Sequence, residues 1–193
     1  MDTAQNLALH NLKVFNSLDL DYIVTDCASC SSALSAQRFH LLLNDMEYDE
    51  EIRKFCSRTF DLTSFLIEIL ELKPQNISPI QKKVTYHDPC HLSKAQGIRQ
   101  APRDLLKLIP GLELVEMSDA DRCCGGSGTF SLTHYQLSMK VLGKKMDSIS
   151  ATRADIIATC CPSCIMQLKH GTSLYVYDAT VKHPIELLAT AIS

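Results

Sequence analysis

Soft sulfur donors dominate the chemistry open to this sequence. It holds nine cysteines in 193 residues. Five follow one spacing: Cys90, then 32 residues, the adjacent pair Cys123-Cys124, then 36 residues, and Cys161-Pro-Ser-Cys164. Thiolates in such number suit iron–sulfur chemistry or zinc. Zinc is normally complete with four ligands in a tetrahedron. A fifth thiolate and a side-by-side pair are awkward for one small ion, whereas neighbouring side chains can reach two irons of a larger cluster. The surroundings favour anionic sulfur. Gly125, Gly126 and Gly128 leave the backbone free to turn amide N–H groups toward a cluster. Cys161 and Cys164 fall at the expected start of a helix, where the dipole favours thiolate, and Pro162 suits a first helical turn.

Other readings of these residues stay open at this level. Cys161-Pro-Ser-Cys164 alone could be a thioredoxin-like redox pair, but that leaves Cys90 and Cys123-Cys124 without a role. A structural zinc site is a second alternative. Cys56 reads as a buried, inert thiol, and Cys160 is not counted as a ligand. His87 and His91 flank Cys90, in a supporting role to the sulfurs or as capping and packing groups. Asp88 is expected to cap the short turn after Cys90. His183-Pro184 is expected to be structural.

These groups need a frame. Apolar periodicity predicts a helix over 3–17 with Leu7, Leu12, Val14 and Phe15, then a brief buried strand, Tyr22-Ile23-Val24. Helices are expected over 29–44, 47–57 and 61–71, the last capped by Asp61. The stretch KPQNISPIQ reads as the boundary between two halves, 1–75 and 76–193. A strand over 83–86 then runs into His87-Asp88-Pro89-Cys90. A helix over 101–109 stops at Pro110-Gly111, and Leu112 to Met117 alternate as a strand. A long helix over 130–150, a strand at 156–158, a helix over 163–169, a short strand near 174–177 and a last helix, PIELLATAI, complete the reading. Strands alternating with helices give an α/β fold with short parallel sheets. Ligands then belong at the carboxyl ends of strands, where the clustered cysteines fall.

The bulk composition narrows the function. With 46 % hydrophobic and 21 % charged residues the chain reads as globular, and a net charge of −3 argues against a nucleic-acid partner. No apolar run approaches the roughly 20 residues that span a bilayer. The start, MDTAQNLALHNLKVF, has no basic segment followed by an apolar one, so a reducing, cytoplasmic setting is expected, with any contact to the inner membrane made through partners. No Ser/His/Asp or paired-carboxylate arrangement suggests hydrolysis, and no G-x-G-x-x-G marks a dinucleotide site, so a flavin would sit on another chain.

The sequence also repeats itself. Residues 21–30, DYIVTDCASC, match residues 155–164, DIIATCCPSC, at six of ten positions. The segments HDPCHL, GIRQAPRDLLKLIPGLELVEM, DRCCGGSGTF, CCPSCIMQLKHG and HPIELLA resemble the cysteine-rich CCG domain. That domain occurs in a cysteine-rich subunit of heterodisulfide reductase, in iron–sulfur subunits of glycolate oxidase and L-lactate dehydrogenase, and in anaerobic glycerol-3-phosphate dehydrogenase. The segments IPGLELVEM and HPIELLA look most like the glycolate and lactate oxidising subunits.

The resemblance implies two tandem α/β halves, each with a CCG motif, and a [4Fe–4S] cluster, which in heterodisulfide reductase takes a noncubane form. It implies Cys90, Cys123, Cys124, Cys161 and Cys164 as ligands, with zinc as the alternative metal. It further implies a flavoprotein dehydrogenase and other iron–sulfur segments as partners, and a quinone or other electron acceptor. The two C-x-x-C motifs lie 134 residues apart, so the first copy's counterpart of Cys123-Cys124 falls about ten residues before Met1. The first half is therefore expected to be truncated at its N-terminus, with Cys27 and Cys30 as an incomplete site and a sheet edge that needs a partner.

Overall fold

The computed structural model describes residues 3–43, 45–73, 75 and 77–192. In the first half, α1 (Thr3–Asn16) leads to β1 (Ile23–Thr25), α2 (Ala28–Ala33), α3 (Ala36–Leu42), α4 (Asp45–Cys56), β2 (Thr59–Asp61) and the single turn α5 (Leu62–Ser64), which runs on as a π-helical turn, Phe65–Ile69. β1 and β2 form a two-stranded parallel sheet. Leu12, Ile23, Phe39, Ile52 and Phe55 bury against one another beside it.

The second half holds a four-stranded parallel sheet. Its strands are β3 (Lys82–Tyr86), β4 (Leu112–Leu114), β5 (Ile156–Ala158) and β6 (Thr180–Lys182), in the order β4-β3-β5-β6. Between them run α6 (Cys90–Ser93), α7 (Gln100–Lys107), α8 (Phe130–Thr133), α9 (Tyr135–Ser150) and α10 (Pro162–Leu174), and α11 (Pro184–Ile192) follows β6. Strand alternation splits the core as a pleated sheet requires. Ile156 and Ala158 join Val84, Leu105, Leu106, Leu187 and Leu188 on one face, and Ile157 joins Leu142, Ile149, Leu168 and Val181 on the other. The fold is α/β with two groups of short parallel strands. No helix among the described residues is long and apolar enough to cross a membrane.

The sequence repeat is present in register. Ile23 faces Thr59 across β1 and β2 as Ile157, its counterpart, faces Val181 across β5 and β6. Each pair's outer strand then delivers a helix cap. Asp61 accepts hydrogen bonds from Thr63 N (2.9 Å) and Ser64 N (3.4 Å), as expected of it. His183 Nδ1 accepts one from Ile185 N at 3.1 Å, a structural part as expected. β5 carries β3 on its other side, whereas among the described residues β1 has only β2.

Several expectations are corrected. The 29–44 helix is broken at Leu34–Ser35, because Ser35 starts a new helix by accepting from Arg38 N. The 130–150 helix is interrupted at His134. The 112–117 strand ends at Leu114, and β2 is an additional strand. β1 is half-buried rather than buried: Ile23 is inside, Tyr22 and Val24 are exposed. No strand forms at 174–177. α10 continues to Leu174, Val176 turns at φ 50° with 90 % of its surface exposed, and the strand is Thr180–Lys182, where Val181 can bury against Ile157. The β-prone Tyr175-Val176-Tyr177 gives way to what the sheet can cover.

Asp88 is not a cap. The one-turn α6 has Pro89 at its N-cap and no side-chain cap, and Asp88 is buried against Arg103, whose Nη1 and Nη2 donate to its two oxygens at 2.8 and 2.9 Å. Arg103 also donates to Glu116 (2.6 and 3.0 Å) and lies 5.0 Å from the centre of the Tyr86 ring. This guanidinium ties α7 to the loop before Cys90. Arg103→Leu leaves a buried carboxylate alone, and such losses cost roughly 3–5 kcal/mol. Urea unfolding should show a loss in that range, against under about 1 kcal/mol for Arg53→Leu, which breaks only the exposed Arg53–Asp49 pair. Equal losses would refute the clamp.

Candidate metal centre

Parallel pairing places the site. Tyr86 and Ala158 are opposite one another at the ends of β3 and β5, and His87 N donates to Ala158 O at 2.9 Å. The loop to Cys90 and the loop through Cys161 therefore leave the sheet side by side. The third loop is drawn in by a buried cation. Lys145, inside α9, donates to Asp119 O (2.7 Å) and Ala120 O (3.2 Å), and Ala120 O also accepts from Asp88 N (3.0 Å). Burial lowers the Lys145 ammonium to about 8. Its two carbonyls hold the turn that delivers Cys123-Cys124.

The glycine run then passes under α9 and α10. Gly125 has φ +90°, and a Cβ there would lie 2.7 Å from the Ser138 carbonyl oxygen. Gly126 leaves 2.9 Å from an added Cβ to Gln167 Cβ, and its carbonyl accepts from the Ser163 hydroxyl. Ser138 Oγ donates to Gly125 O at 2.9 Å and accepts from Gln167 Nε2 at 3.1 Å.

Cys90, Cys123, Cys124, Cys161 and Cys164 all line one cavity of about 230 Å³, with His87, His91 and Ser29 in its wall. The thiols of Cys123, Cys124, Cys164 and Cys161 interact in series. Hydrogen bonds from Cys123, then Cys164, with a further one from His87, hold the Cys124 thiol well below its ordinary range against the opposing cost of burial. The donors Cys123 and Cys164 are raised correspondingly by bonding to Cys124. Cys161 is held down to about 5 by Cys164, against burial, and then by Ser29 and the backbone N–H groups of Cys164 and Ser163 at the start of α10. His87 is 1 % exposed, and its Nδ1 has no hydrogen-bond partner. The donor atoms of His87, Cys124 and Cys164 all lie within 4.8 Å of one another. Clustered sulfurs, two of them held below the ordinary thiol range, beside an unpartnered buried imidazole nitrogen, fit a soft metal or an iron–sulfur cluster.

Cys27 and Cys30 do not line this cavity; Ser29 between them does, with Oγ 3.5 Å from Cys161 Sγ and 3.2 Å from His91 Nδ1. Sequence reasoning missed Ser29, although its pairing with Ser163 in the repeat was a signal. His87 proves to be a wall of the site, consistent with its place directly after β3. Cys160 stays outside, wholly buried, with the Tyr86 hydroxyl donating to its sulfur at 3.3 Å. Cys56 is half-buried, its thiol pushed up to about 11 by burial, as an inert cysteine should be.

Residues 1–35 and 84–169 match the CCG cysteine-rich domain. The chain is 36 % identical over 170 residues to a protein named probable glycolate oxidase iron-sulfur subunit from Bacillus subtilis, covering 88 % of this chain and 38 % of that one. It is 33 % identical over 170 residues to lactate utilization protein A of Geobacillus thermodenitrificans, covering 88 % of this chain and 70 % of the relative. It is 31 % identical over 195 residues to a subunit of the dihydromethanophenazine:CoB–CoM heterodisulfide reductase of Methanosarcina barkeri, covering 99 % and 46 %. The chain thus spans less than half the length of two of these relatives.

The loop predicts its own sensitivity. Gly125→Ala combines a left-handed backbone with a collision against a fixed carbonyl and should destabilise by roughly 1–3 kcal/mol. Gly128→Ala, with φ +48° and nothing within 4 Å of an added Cβ, should cost about 1 kcal/mol or less. Thermal unfolding of the two variants measures the difference; a costlier Gly128→Ala would contradict the packing described.

Proposed function

Since the chain belongs to the CCG cysteine-rich domain family, we propose that it is an iron–sulfur electron-transfer subunit, or part of one, in a flavin-dependent complex oxidising a 2-hydroxy acid such as glycolate or lactate. The observation that carries this reading is the convergence of five cysteines from three loops on one cavity. Cys90, Cys123, Cys124, Cys161 and Cys164, all in the half spanning 76–193, would hold a [4Fe–4S] cluster, of cubane or noncubane form. When bound, such a cluster supplies one-electron transfer at a potential set by nearby hydrogen bonds and burial.

The chain's own residues prepare that role. Cys124, through Cys123 and Cys164, and Cys161, through Cys164 and Ser29, are both held below the ordinary thiol range. Gly125 N donates to Cys123 Sγ at 3.3 Å and fixes that sulfur at the exposed side of the site. His87 directs a hydrogen bond at Cys124, and the walls keep bulk water from its sulfur. The partners are a flavoprotein dehydrogenase subunit and further iron–sulfur segments, with a quinone or other carrier as acceptor. The setting is the cytoplasm, with contact to the inner membrane through those partners.

One observation favours a second reading, disulfide reduction at the site itself: the cavity opens beside the exposed Cys123, leaving room for a substrate sulfur. A structural zinc held by His87, Cys124 and Cys164 is the non-redox alternative.

Anaerobic reconstitution followed by iron, sulfide and zinc analysis separates these. About four irons and four sulfides per chain are expected, lost in Cys123→Ser and Cys164→Ser and reduced by a flavoprotein partner on addition of hydroxy acid. Turnover of a small disulfide by the loaded protein would favour the second reading. One zinc without sulfide, retained in Cys123→Ser, would sink the electron-transfer reading.

A further inference from the structure

The first half sends one side chain into the second half's site. Ser29, in the first turn of α2, is placed there from two sides. Ala28 N donates to Cys160 O at 2.9 Å, which sets the start of α2 against the loop through Cys161. Gln96 Nε2 donates to Ser31 Oγ (2.8 Å) and to His91 O (2.7 Å), which ties α2 to α6. Ser29 Oγ then lies 3.5 Å from Cys161 Sγ and 3.2 Å from His91 Nδ1, and all three residues line the cavity. Neither contact involves Cys27 or Cys30.

A serine hydroxyl has a single proton, so it donates to one of these neighbours and accepts from the other. A metal-bound cysteine sulfur has no proton to give and can only accept. With a metal on Cys161, Ser29 must therefore donate to the sulfur and accept from a protonated His91 Nδ1. The imidazole thus fixes the direction of the hydroxyl through its choice of tautomer. Cys161 is 3 % exposed, so water does not readily replace a lost donor there. Resting on the electron-transfer reading, we propose that Ser29, oriented by His91, donates a hydrogen bond to the Cys161 sulfur and so raises the reduction potential of the iron–sulfur cluster that this cysteine helps to hold. Reduction adds negative charge that the ligand sulfurs share. A donor aimed at one of them stabilises the reduced form more than the oxidised one. Ser29 and His91 act through Cys161 and are positioning residues.

The test is a potentiometric titration of the full chain after anaerobic reconstitution with iron and sulfide, followed by electron paramagnetic resonance. Ser29→Ala should keep the wild-type iron and sulfide content and move the midpoint to more negative potential. At a fixed ambient potential the ratio of reduced to oxidised cluster should fall roughly two- to tenfold, the worth of one hydrogen bond. Ser29→Thr keeps the hydroxyl and should keep the wild-type potential. Ser31→Ala removes a hydroxyl of the same turn that bonds to Ala28 O and Gln96, and it should leave the potential unchanged. His91→Phe should shift the potential in the same direction as Ser29→Ala. The double variant should shift it no further than Ser29→Ala alone, since both substitutions break one chain of bonds. The proposal is overturned if Ser29→Ala carries full iron at an unchanged potential, if Ser31→Ala shifts the potential as much, or if the Ser29 and His91 effects add. A wild-type chain that takes up zinc without iron or sulfide ends the electron-transfer reading and this proposal together. Full iron with an unmoved potential ends this proposal alone.

Discussion

Strands β3 and β5 lie parallel with Tyr86 opposite Ala158, and the backbone bond from His87 N to Ala158 O fixes where both chains leave the sheet. Everything at the sulfur site hangs on that register. A one-residue slip would turn Tyr86 and Ala158 out of the core face they share with Leu105 and Leu188. It would also carry Cys90 and Cys161 away from each other. The apolar core therefore specifies the metal site indirectly: burial decides the register, and the register decides which loops meet. Ala120 O extends the same logic to the third loop, because it accepts from Asp88 N on the β3 side and from Lys145 inside α9.

Burying charge is costly, and the fold offsets the cost by pairing Asp88 and Lys145. Asp88 and Glu116 share Arg103. Lys145 has two carbonyls and the Met117 sulfur (3.7 Å) rather than a carboxylate, which suits a cation placed close to thiolates. The cysteines are the exception. Their thiols bond mainly to each other, so ionising one is favoured while ionising all is opposed by mutual repulsion. A bound cation resolves that conflict, which is why such a set of sulfurs is better explained by metal than by packing. The unpartnered Nδ1 of His87 belongs to the same account.

Much of this was legible in the sequence because it rests on local rules. The five-cysteine spacing, the strand at 156–158, the cap at Asp61 and the last helix all follow from motif, periodicity or capping chemistry. The failures lie where tertiary structure chose between local options. Tyr175-Val176-Tyr177 has the residue types of a strand, yet Thr180–Lys182 takes the place beside β5. Asp88 has the residue type of a cap, yet Arg103, fifteen residues away, claims both its oxygens. Ser29 could not be assigned to the cavity from its own neighbourhood, since its partners Cys161 and His91 lie 132 and 62 positions along the chain.

The repeat itself explains how a residue of the first half comes to line the second half's site. β1 and β5 each end in a C-x-x-C that opens a helix, and the two helix starts meet: Ala28 N donates to Cys160 O at 2.9 Å. Related by the repeat, Ser29 and Ser163 both stand at this junction. They have diverged in use. Ser163 bonds to the Gly126 carbonyl and braces its own half's glycine loop, whereas Ser29 reaches across to Cys161 and His91. A duplicated strand–turn–helix unit thus supplies one copy of the turn as a cage for sulfur and the other as its wall. That division of labour accounts for the junction being polar on the side facing the cavity while Ala28, Leu66 and Ile67 seal it with the sheet's apolar core behind.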